Sequence, residues 1–312
     1  MQMQTEFIAN CILQRKPVCF AKLGDGEMAA IVYGGGGGGV DGGQCNCDGT
    51  FYSAELRFAL LDAVNSVLIP AAVSSSSYVL LGGWHSQTTR DFWLQTFICD
   101  VSKNNNTTAI DSIPWVHYHT LLFDNDDFLG AGGSTLQNKL SLYRSIRETP
   151  SAEINKIVIC NQYVAPRMQL ILNANYVIHI PLHNWFCDGI YEQVKNGLFD
   201  ILSRREHQES AAAARAAANI VVIAGGIVSK VLIADCLRHF PNEIYLDIGS
   251  ALDLLCTKRD SRGWQYSYED IESAARDSKL LLPDDEKQWN DPRLQELVFE
   301  PAQTHLGIHL PR

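Results

Sequence analysis

The sequence has 312 residues, 46% of them hydrophobic and 19% charged, and its formal net charge at pH 7 is −10. A chain of this length and apolar content can bury one large core or two smaller ones, which excludes general disorder. The acidic balance argues against a nucleic-acid-binding protein, because such proteins usually present a basic face to phosphates.

The first half of the chain predicts helices that alternate with strands. An amphipathic helix is expected before Pro17, and the apolar residues 17–23 predict a buried strand. Leucines at helical spacing predict a second helix over residues 56–68. A strand near residues 68–73 and an aromatic-rich helix over residues 89–101 are expected to follow.

The second half repeats one pattern, in which a short run of β-branched residues precedes a helix-like segment. These runs cover residues 156–160, 176–180, 220–224 and 244–248. Such alternation predicts an α/β domain with a mostly parallel sheet covered by helices. We expect residues 1–264 to form this domain. Residues 265–312 are expected to be a helical or irregular extension packed on it, with the acidic run 284–286 on a solvated face.

Cysteines and hydropathy indicate the compartment. The nine cysteines are odd in number and scattered, and several lie in apolar, strand-like runs, so they are expected to be buried thiols in a reducing environment. The sequence contains no apolar stretch of the roughly 18 to 20 residues that span a bilayer, and no secretion signal is recognisable. A cytoplasmic protein without a transmembrane segment is therefore predicted.

An acidic glycine-rich sequence follows the first predicted strand. Asp25 and Glu27 lie between Gly24 and Met28, and side chains two residues apart in an extended segment point to the same face. Gly24 and Gly26 let backbone and ligand come close. Two carboxylates here could share Mg²⁺ or Mn²⁺, whose remaining positions go to water and phosphate oxygens. The alternative is an ordinary turn, in which Asp accepts local hydrogen bonds.

Further polar candidates follow the later strands, and each has a simpler structural explanation. Gly225 and Gly226 open a helix that contains Ser229 and Lys230, a place that suits a diphosphate. A tight turn explains the glycines equally well, and a surface position explains the lysine. Asn184 could bind a base or a sugar through its amide, or only cap a helix.

Two aspartates are candidates for a general base towards an acceptor hydroxyl. Asp247 ends a predicted strand and Asp253 follows it closely, although a strand-end carboxylate can also cap the next helix. Aromatic residues could form a platform for a sugar ring, or simply pack in the core. They are Trp84, His85, Trp115, His117, Tyr118 and His119.

Three segments resemble the GT-D-fold glycosyltransferases. FAKLGDGE, from Phe20, resembles the amino-terminal signature of this family, whose Asp-x-Glu motif binds a metal and a nucleotide-sugar. IPLHNWF, from Ile180, is similar to its Pro-x-x-Asn-x-Phe segment. IAGGIVSKVL, from Ile223, and then YLDIG, from Tyr245, resemble its carboxy-terminal block. The chain departs from the family in having Lys22 where an arginine is common and Ser250 where a histidine is common.

The resemblance implies a Rossmann-like domain of the GT-D type that transfers a hexose or pentose. The donor would be a nucleoside diphosphate sugar, such as UDP-glucose, and the acceptor a glycan, a glycoprotein or another hydroxyl compound. Asp25 and Glu27 would be the metal and donor site, with Mn²⁺ or Mg²⁺ as the cofactor. A homodimer is left open. The other residues that would contact the donor are Lys22, Gly24, Gly26, Asn184, Gly225, Gly226, Ser229 and Lys230.

Other functions compete with this hypothesis. The segment from Leu246 to Ala251 resembles the glycine-rich turn of S-adenosylmethionine-dependent methyltransferases, although Ala251 stands where a second glycine is expected. Gly225, Gly226 and Asp247 also suggest a dinucleotide-binding oxidoreductase, but the G-x-G-x-x-G pattern is missing. A nucleotide-sugar-binding module without turnover would use the same pocket as the transferase.

Overall fold

A computed structural model describes the greater part of the chain. The described residues are 4–24, 26–27, 30–31, 53–74, 79–83, 115–117, 136–152, 154–181, 185–187, 189–206, 219–258, 267–290 and 308–309. Asp25 and Asn184 lie outside these residues, as do Trp84, His85, Tyr118 and His119 and the helix predicted over residues 89–101.

Eight strands of the described part form one sheet in the order β3-β2-β1-β7-β6-β4-β5-β8. The strands are β1 Val18–Leu23, β2 Val79–Gly83, β3 Trp115–His117, β4 Asn155–Asn161, β5 Tyr176–Ile180, β6 Asn219–Ala224, β7 Ile244–Asp247 and β8 Ile308–His309. All neighbouring strands are parallel except β5 and β8, which are antiparallel. The predicted class, an α/β fold with a mostly parallel sheet flanked by helices, is confirmed.

Helices cover both faces of the sheet. They are α1 Gln4–Leu13, α2 Ala54–Val73, α3 Leu136–Glu148, α4 Ala165–Leu172, α5 Ile190–Glu206, α6 Val228–His239, α7 Asp253–Thr257, α8 Tyr268–Asp277 and α9 Glu286–Trp289. One core lies between the sheet and α2, α5 and α6, and a second core lies between the opposite face and α1, α3, α4, α7 and α8. The central strands are buried on both faces, which explains their continuous apolar sequences.

The strand predicted near residues 68–73 is wrong. Helix α2 continues through a π-helical segment, Ala63–Leu68, to Val73, and the next strand begins only at Val79. Short apolar runs do not separate helix from strand by periodicity, and Pro70 does not interrupt the helix, because it lies at the first turn of the segment that follows the π-helix.

Helix α2 is the one helix of the described part that is long and apolar enough to cross a membrane, by length and composition alone. Its apolar window has a mean hydropathy of 1.6. Leu60 and Val64 of this helix are fully buried in the core that also contains α6. This packing is that of a helix laid against a sheet.

Residues 267–290 pack against the core beside α4. Trp289 is buried at 1% exposure, and the Arg167 guanidinium donates to the carbonyl groups of Trp289 and Cys256 while lying over the Trp289 ring. In the acidic run 284–286, Asp285 is buried and pairs with Arg147 at 2.9 Å. The expectation that this whole run is solvated is therefore wrong for Asp285.

The chain leaves the neighbouring strands β1 and β7 towards opposite faces of the sheet, and we call the carboxyl edge between these two exits the crevice. Helix α2, the next described helix of any length after β1, packs in one core, whereas α7, which follows β7, packs in the other. Strands β1 and β7 are neighbours, with Phe20 opposite Leu246. Ligands of open α/β sheets bind where the chain leaves adjacent strands towards opposite faces, so this edge is the place to look for a site.

Candidate functional site

Four charged side chains that the sequence places far apart meet at this edge. Lys22 is the penultimate residue of β1, Glu27 follows that strand, Lys230 lies in the first turn of α6, and Asp247 ends β7. Each is at most 4% exposed. Charged residues are seldom buried to this extent unless they are paired, and these four form a connected group.

The Lys230 ammonium lies between two carboxylates. Its Nζ atom is 2.5 Å from Oε1 of Glu27 and 2.8 Å from Oδ2 of Asp247. It also donates to the carbonyl oxygen of Gly226 at 3.1 Å. These three acceptors match the three N–H donors of an ammonium group. The hypothesis that Lys230 is a surface lysine is therefore wrong.

Glu27 is held by a second contact on its other oxygen. The residue belongs to a helical turn that begins after β1, and its Oε2 accepts the Gly24 N–H at 2.7 Å. Burial acts to raise the pKa of Glu27, but the charge of Lys230 and the hydrogen bonds from Lys230 and Gly24 lower the pKa below its ordinary value. The carboxylate is therefore ionised. Residues 26–27 are helical, so the extended geometry expected from the sequence does not apply to Glu27.

Asp247 has one satisfied and one unsatisfied oxygen. Its Oδ2 accepts the Lys22 backbone N–H at 3.2 Å and pairs with Lys230. Its Oδ1 is buried and has no hydrogen-bond partner among the described residues. A buried acceptor without a partner costs about 1–3 kcal/mol, so a ligand that supplies a donor or a cation here would recover that energy. Asp247 does not cap the following helix.

Lys22 brings a second ammonium to the same crevice. Gly249 adopts a φ of +52°, and a Cβ atom at this position would collide with Nζ of Lys22. Gly249, two residues after Asp247, therefore keeps room for the head group of Lys22. The turn that resembles a methyltransferase motif serves here to admit a side chain of the protein itself.

The glycine turn between β6 and α6 is explained by packing. Gly226 has a φ of +61°, and Gly225 has no room for a Cβ, which would lie 2.9 Å from Cζ2 of Trp185. The Trp185 indole also donates to the Gly225 carbonyl at 2.8 Å. Ser229 is fully buried, and its hydroxyl has no partner among the described residues. The turn thus needs its glycines even without a ligand.

The remaining candidates are placed differently. Gly26 is buried in the turn that also holds Glu27. Asp253 begins α7 and is only half-buried. Burial, and to a smaller extent the charge of Asp253, raises the pKa of the Cys160 thiol near the end of β4. Asp25 and Asn184 cannot be located, because they lie outside the described residues. The structure thus brings together Lys22, Gly24, Glu27, Gly226, Lys230 and Asp247.

The donor atoms of the cluster decide whether a divalent metal fits it. Among the described residues, no three His, Cys, Asp or Glu side chains form a metal-ligand group. Glu27 and Asp247 nevertheless converge on a single cation, the ammonium of Lys230, and Oδ1 of Asp247 is still unpaired. The two carboxylates therefore suit a small cation, provided that the Lys230 ammonium gives up its place beside Glu27.

Comparisons with known proteins give two structural likenesses and no sequence match. No protein-family model matches the sequence, and no curated protein matches it. Two solved structures resemble the chain with 12% sequence identity, covering 92% of this chain and 98% of theirs, at TM-scores of 0.43 and 0.42. The first is described as the selenomethionine-substituted structure of domain of unknown function 1792, and the second as this highly conserved domain with a distinct glycosyltransferase fold.

The second description names the type of fold that the sequence motifs imply, but at 12% identity and TM-scores below 0.5 this likeness carries no argument about the chain. The function of the site has to follow from its own residues.

The burial of Lys230 was missed, although the sequence carries a signal for it. Residues 228–234 are VSKVLIA, apolar around the whole helix, and all of them are buried. A helix that is apolar all round lies in a core, and a lysine within it must find a carboxylate. The role of Trp185 in fixing the Gly225 carbonyl has no comparable sequence signal.

Proposed function

We propose that the protein is a glycosyltransferase that moves a sugar from a nucleoside diphosphate donor to a hydroxyl group of a glycan or glycoprotein. A UDP-sugar such as UDP-glucose is the proposed donor. One observation carries the proposal: residues of the first and last family-like segments, Lys22 to Glu27 and Gly225 to Asp247, form one buried charged cluster at the ligand-binding edge of the sheet.

The lysines suit a diphosphate. Lys22 and Lys230 bring two positive charges to the crevice, and the amino-terminal turn of α6 lies beside them. An ammonium that is already dehydrated loses little hydration when it turns from a carboxylate to phosphate oxygens. The same charges would stabilise the nucleoside diphosphate as it leaves the sugar.

Asp25 and Glu27 are the proposed ligands of Mn²⁺ or Mg²⁺. The metal would supply Lewis-acid stabilisation of the diphosphate when it is bound. The chain's own contribution is to keep Glu27 ionised and oriented, through the Gly24 N–H and the charge of Lys230. Asn184 and Ser229 remain proposed contacts to the donor.

Of the two candidate aspartates, Asp253 is the proposed general base of an inverting transfer. Asp247 is fully buried and paired with Lys230, which fits a positioning role. Asp253 is half-buried at the start of α7, where an acceptor hydroxyl can approach it. Stereochemistry at the anomeric carbon would test this assignment, because retention of configuration does not need such a base.

Thermal unfolding with candidate ligands tests the donor class. At a ligand concentration of about 100 times Kd, binding raises the free energy of unfolding by about 2.7 kcal/mol, which is easily seen as a rise in Tm. We expect UDP with Mn²⁺ to raise Tm, and S-adenosylmethionine and NAD to have no effect. A rise with either of those cofactors, or none with UDP and Mn²⁺, would reject the proposal.

Hydrolysis of the donor separates an enzyme from a passive binding module. We expect metal-dependent release of UDP from UDP-glucose or another UDP-sugar by the wild type, and its loss in Asp25→Ala. Asp200→Ala is the matched control, since Asp200 lies on the exposed face of α5. A UDP-sugar that binds without release of UDP in either protein would favour the binding module.

A further inference from the structure

Among the described residues of the cluster, the positive and negative charges are equal in number before any ligand arrives. Lys22 and Lys230 contribute two positive charges, and Glu27 and Asp247 two negative charges, all at most 4% exposed. We propose that Lys230 is the resident cation of Glu27 and that it leaves this carboxylate when the donor diphosphate binds, which frees Glu27 for the divalent metal. This inference rests on the proposed function.

Lys230 and a divalent metal would compete for the Glu27 carboxylate. Both carboxylate oxygens are engaged, Oε1 by Lys230 at 2.5 Å and Oε2 by the Gly24 N–H at 2.7 Å. A Mg²⁺ ion on Oε1 would lie about 2.1 Å from that oxygen and next to the ammonium. Two neighbouring cations repel each other strongly at a buried position. A metal on Glu27 therefore competes with the Lys230 ammonium for this carboxylate.

The Lys230 ammonium can leave Glu27 and still keep hydrogen-bond acceptors. Its ammonium also contacts Oδ2 of Asp247 and the Gly226 carbonyl, and Asp247 still offers the unpaired Oδ1. A lysine head group on its flexible stem moves by rotation about side-chain bonds. The phosphate oxygens proposed to bind beside α6 would replace the acceptor lost at Glu27.

The charges that the ligands add to the cluster favour their binding together. A diphosphate ester adds two negative charges to this buried site and a divalent metal adds two positive charges, so either ligand alone leaves an uncompensated charge in a medium of low polarity. Both together restore the balance of the described cluster. The metal and the diphosphate should therefore bind cooperatively, each raising the affinity for the other by the same factor.

Lys230→Met tests the competition with the metal alone. We expect Mn²⁺, in the absence of nucleotide, to bind this variant about tenfold more tightly than it binds the wild type, within the range typical of coupled sites. Titration calorimetry or the electron paramagnetic resonance signal of free Mn²⁺ measures this affinity. Lys156→Met is the matched control, since Lys156 is equally buried but donates to the carbonyl groups of Arg147 and Thr149.

Glu27→Gln tests the other half with an isosteric change, which removes the negative charge and keeps the shape of the side chain. The freed Lys230 should bind UDP without metal several-fold more tightly than in the wild type, and Mn²⁺ should no longer increase the affinity for UDP. Glu192→Gln is the control, because Glu192 is an exposed partner of Lys195. In the double variant Lys230→Met, Glu27→Gln, the gain in Mn²⁺ affinity should disappear.

The results separate the two proposals. A wild type that never binds UDP rejects the proposed function, while the Mn²⁺ titration of Lys230→Met still decides the inference. Unchanged or weaker Mn²⁺ binding in Lys230→Met would overturn the inference even if UDP binds. Weaker metal-free binding of UDP to Glu27→Gln than to the wild type would overturn it as well, because a purely structural ion pair predicts losses in both variants.

Discussion

Removal of the Lys230 ammonium should destabilise the protein, because it leaves two buried carboxylates without their shared cation. Lys230 is 2% exposed and lies within 2.8 Å of both Glu27 and Asp247. Breaking a buried ion pair from one side costs about 3–5 kcal/mol. At roughly 2 °C per kcal/mol for a chain of this size, Lys230→Met should lower Tm by roughly 6–10 °C.

A second substitution identifies the cause of that loss. If the uncompensated charge is responsible, Glu27→Gln should restore part of the stability in the Lys230→Met background, although the same change destabilises the wild type. The four proteins form a double-mutant cycle, whose coupling energy we expect to be about 1–3 kcal/mol. Calorimetry or the intrinsic fluorescence of the six tryptophans follows unfolding. Additive losses in the cycle would refute the ion-pair explanation.

Three further predictions concern the acid limb of stability, the glycine turn and the carboxy-terminal segment. The pKa of Glu27 is lowered in the folded state. The ionised carboxylate therefore stabilises the fold above the unfolded pKa near 4.5, and this contribution is lost as the pH falls through the folded pKa. Over this acid range, the Tm of Glu27→Gln should fall less steeply than that of the wild type. Gly225→Ala should lower the free energy of unfolding in urea by about 1–3 kcal/mol, because the new Cβ would lie 2.9 Å from Cζ2 of Trp185. An unchanged urea midpoint would show that the indole moves aside. Arg167→Met should remove the guanidinium donor from the carbonyl groups of Cys256 and Trp289, which costs about 1–3 kcal/mol for each carbonyl. Limited proteolysis should then cut residues 267–290 first. Protection of this segment equal to that in the wild type would contradict the anchoring role of Arg167.

The sheet was predictable because its strands combine two signals. Residues 220–224 and 244–248 are continuous β-branched or apolar runs, and helix-like sequence follows each of them. The structure places β6 over Asn219–Ala224 and β7 over Ile244–Asp247, within one residue of these limits. A parallel strand is buried on both faces, so its sequence shows no polar alternation and stands out from the helices. The apolar residues 69–73 carry the same signal, which is why this last turn of α2 was mistaken for a strand.

The chemistry of the site was only partly predictable. Glu27, Lys230 and Asp247 were recognised as candidates from short motifs, but not as partners, because their contact depends on the insertion of β7 between β1 and β6. Sequence order places β7 more than two hundred residues after β1, and no local rule relates the two. The partners of Lys230 thus follow from topology, whereas its burial follows from the apolar sequence around it.

The position of the cluster favours a functional explanation over a stabilising one. Buried ion pairs often add no net stability, since well-packed apolar side chains of similar volume can replace them without loss. The cluster of Lys22, Glu27, Lys230 and Asp247 also leaves Oδ1 of Asp247 unpaired, which a purely stabilising network would avoid. It lies in the crevice between β1 and β7, where sheets of this class bind ligands. Binding of an anion together with a cation therefore explains the cluster better than stability does.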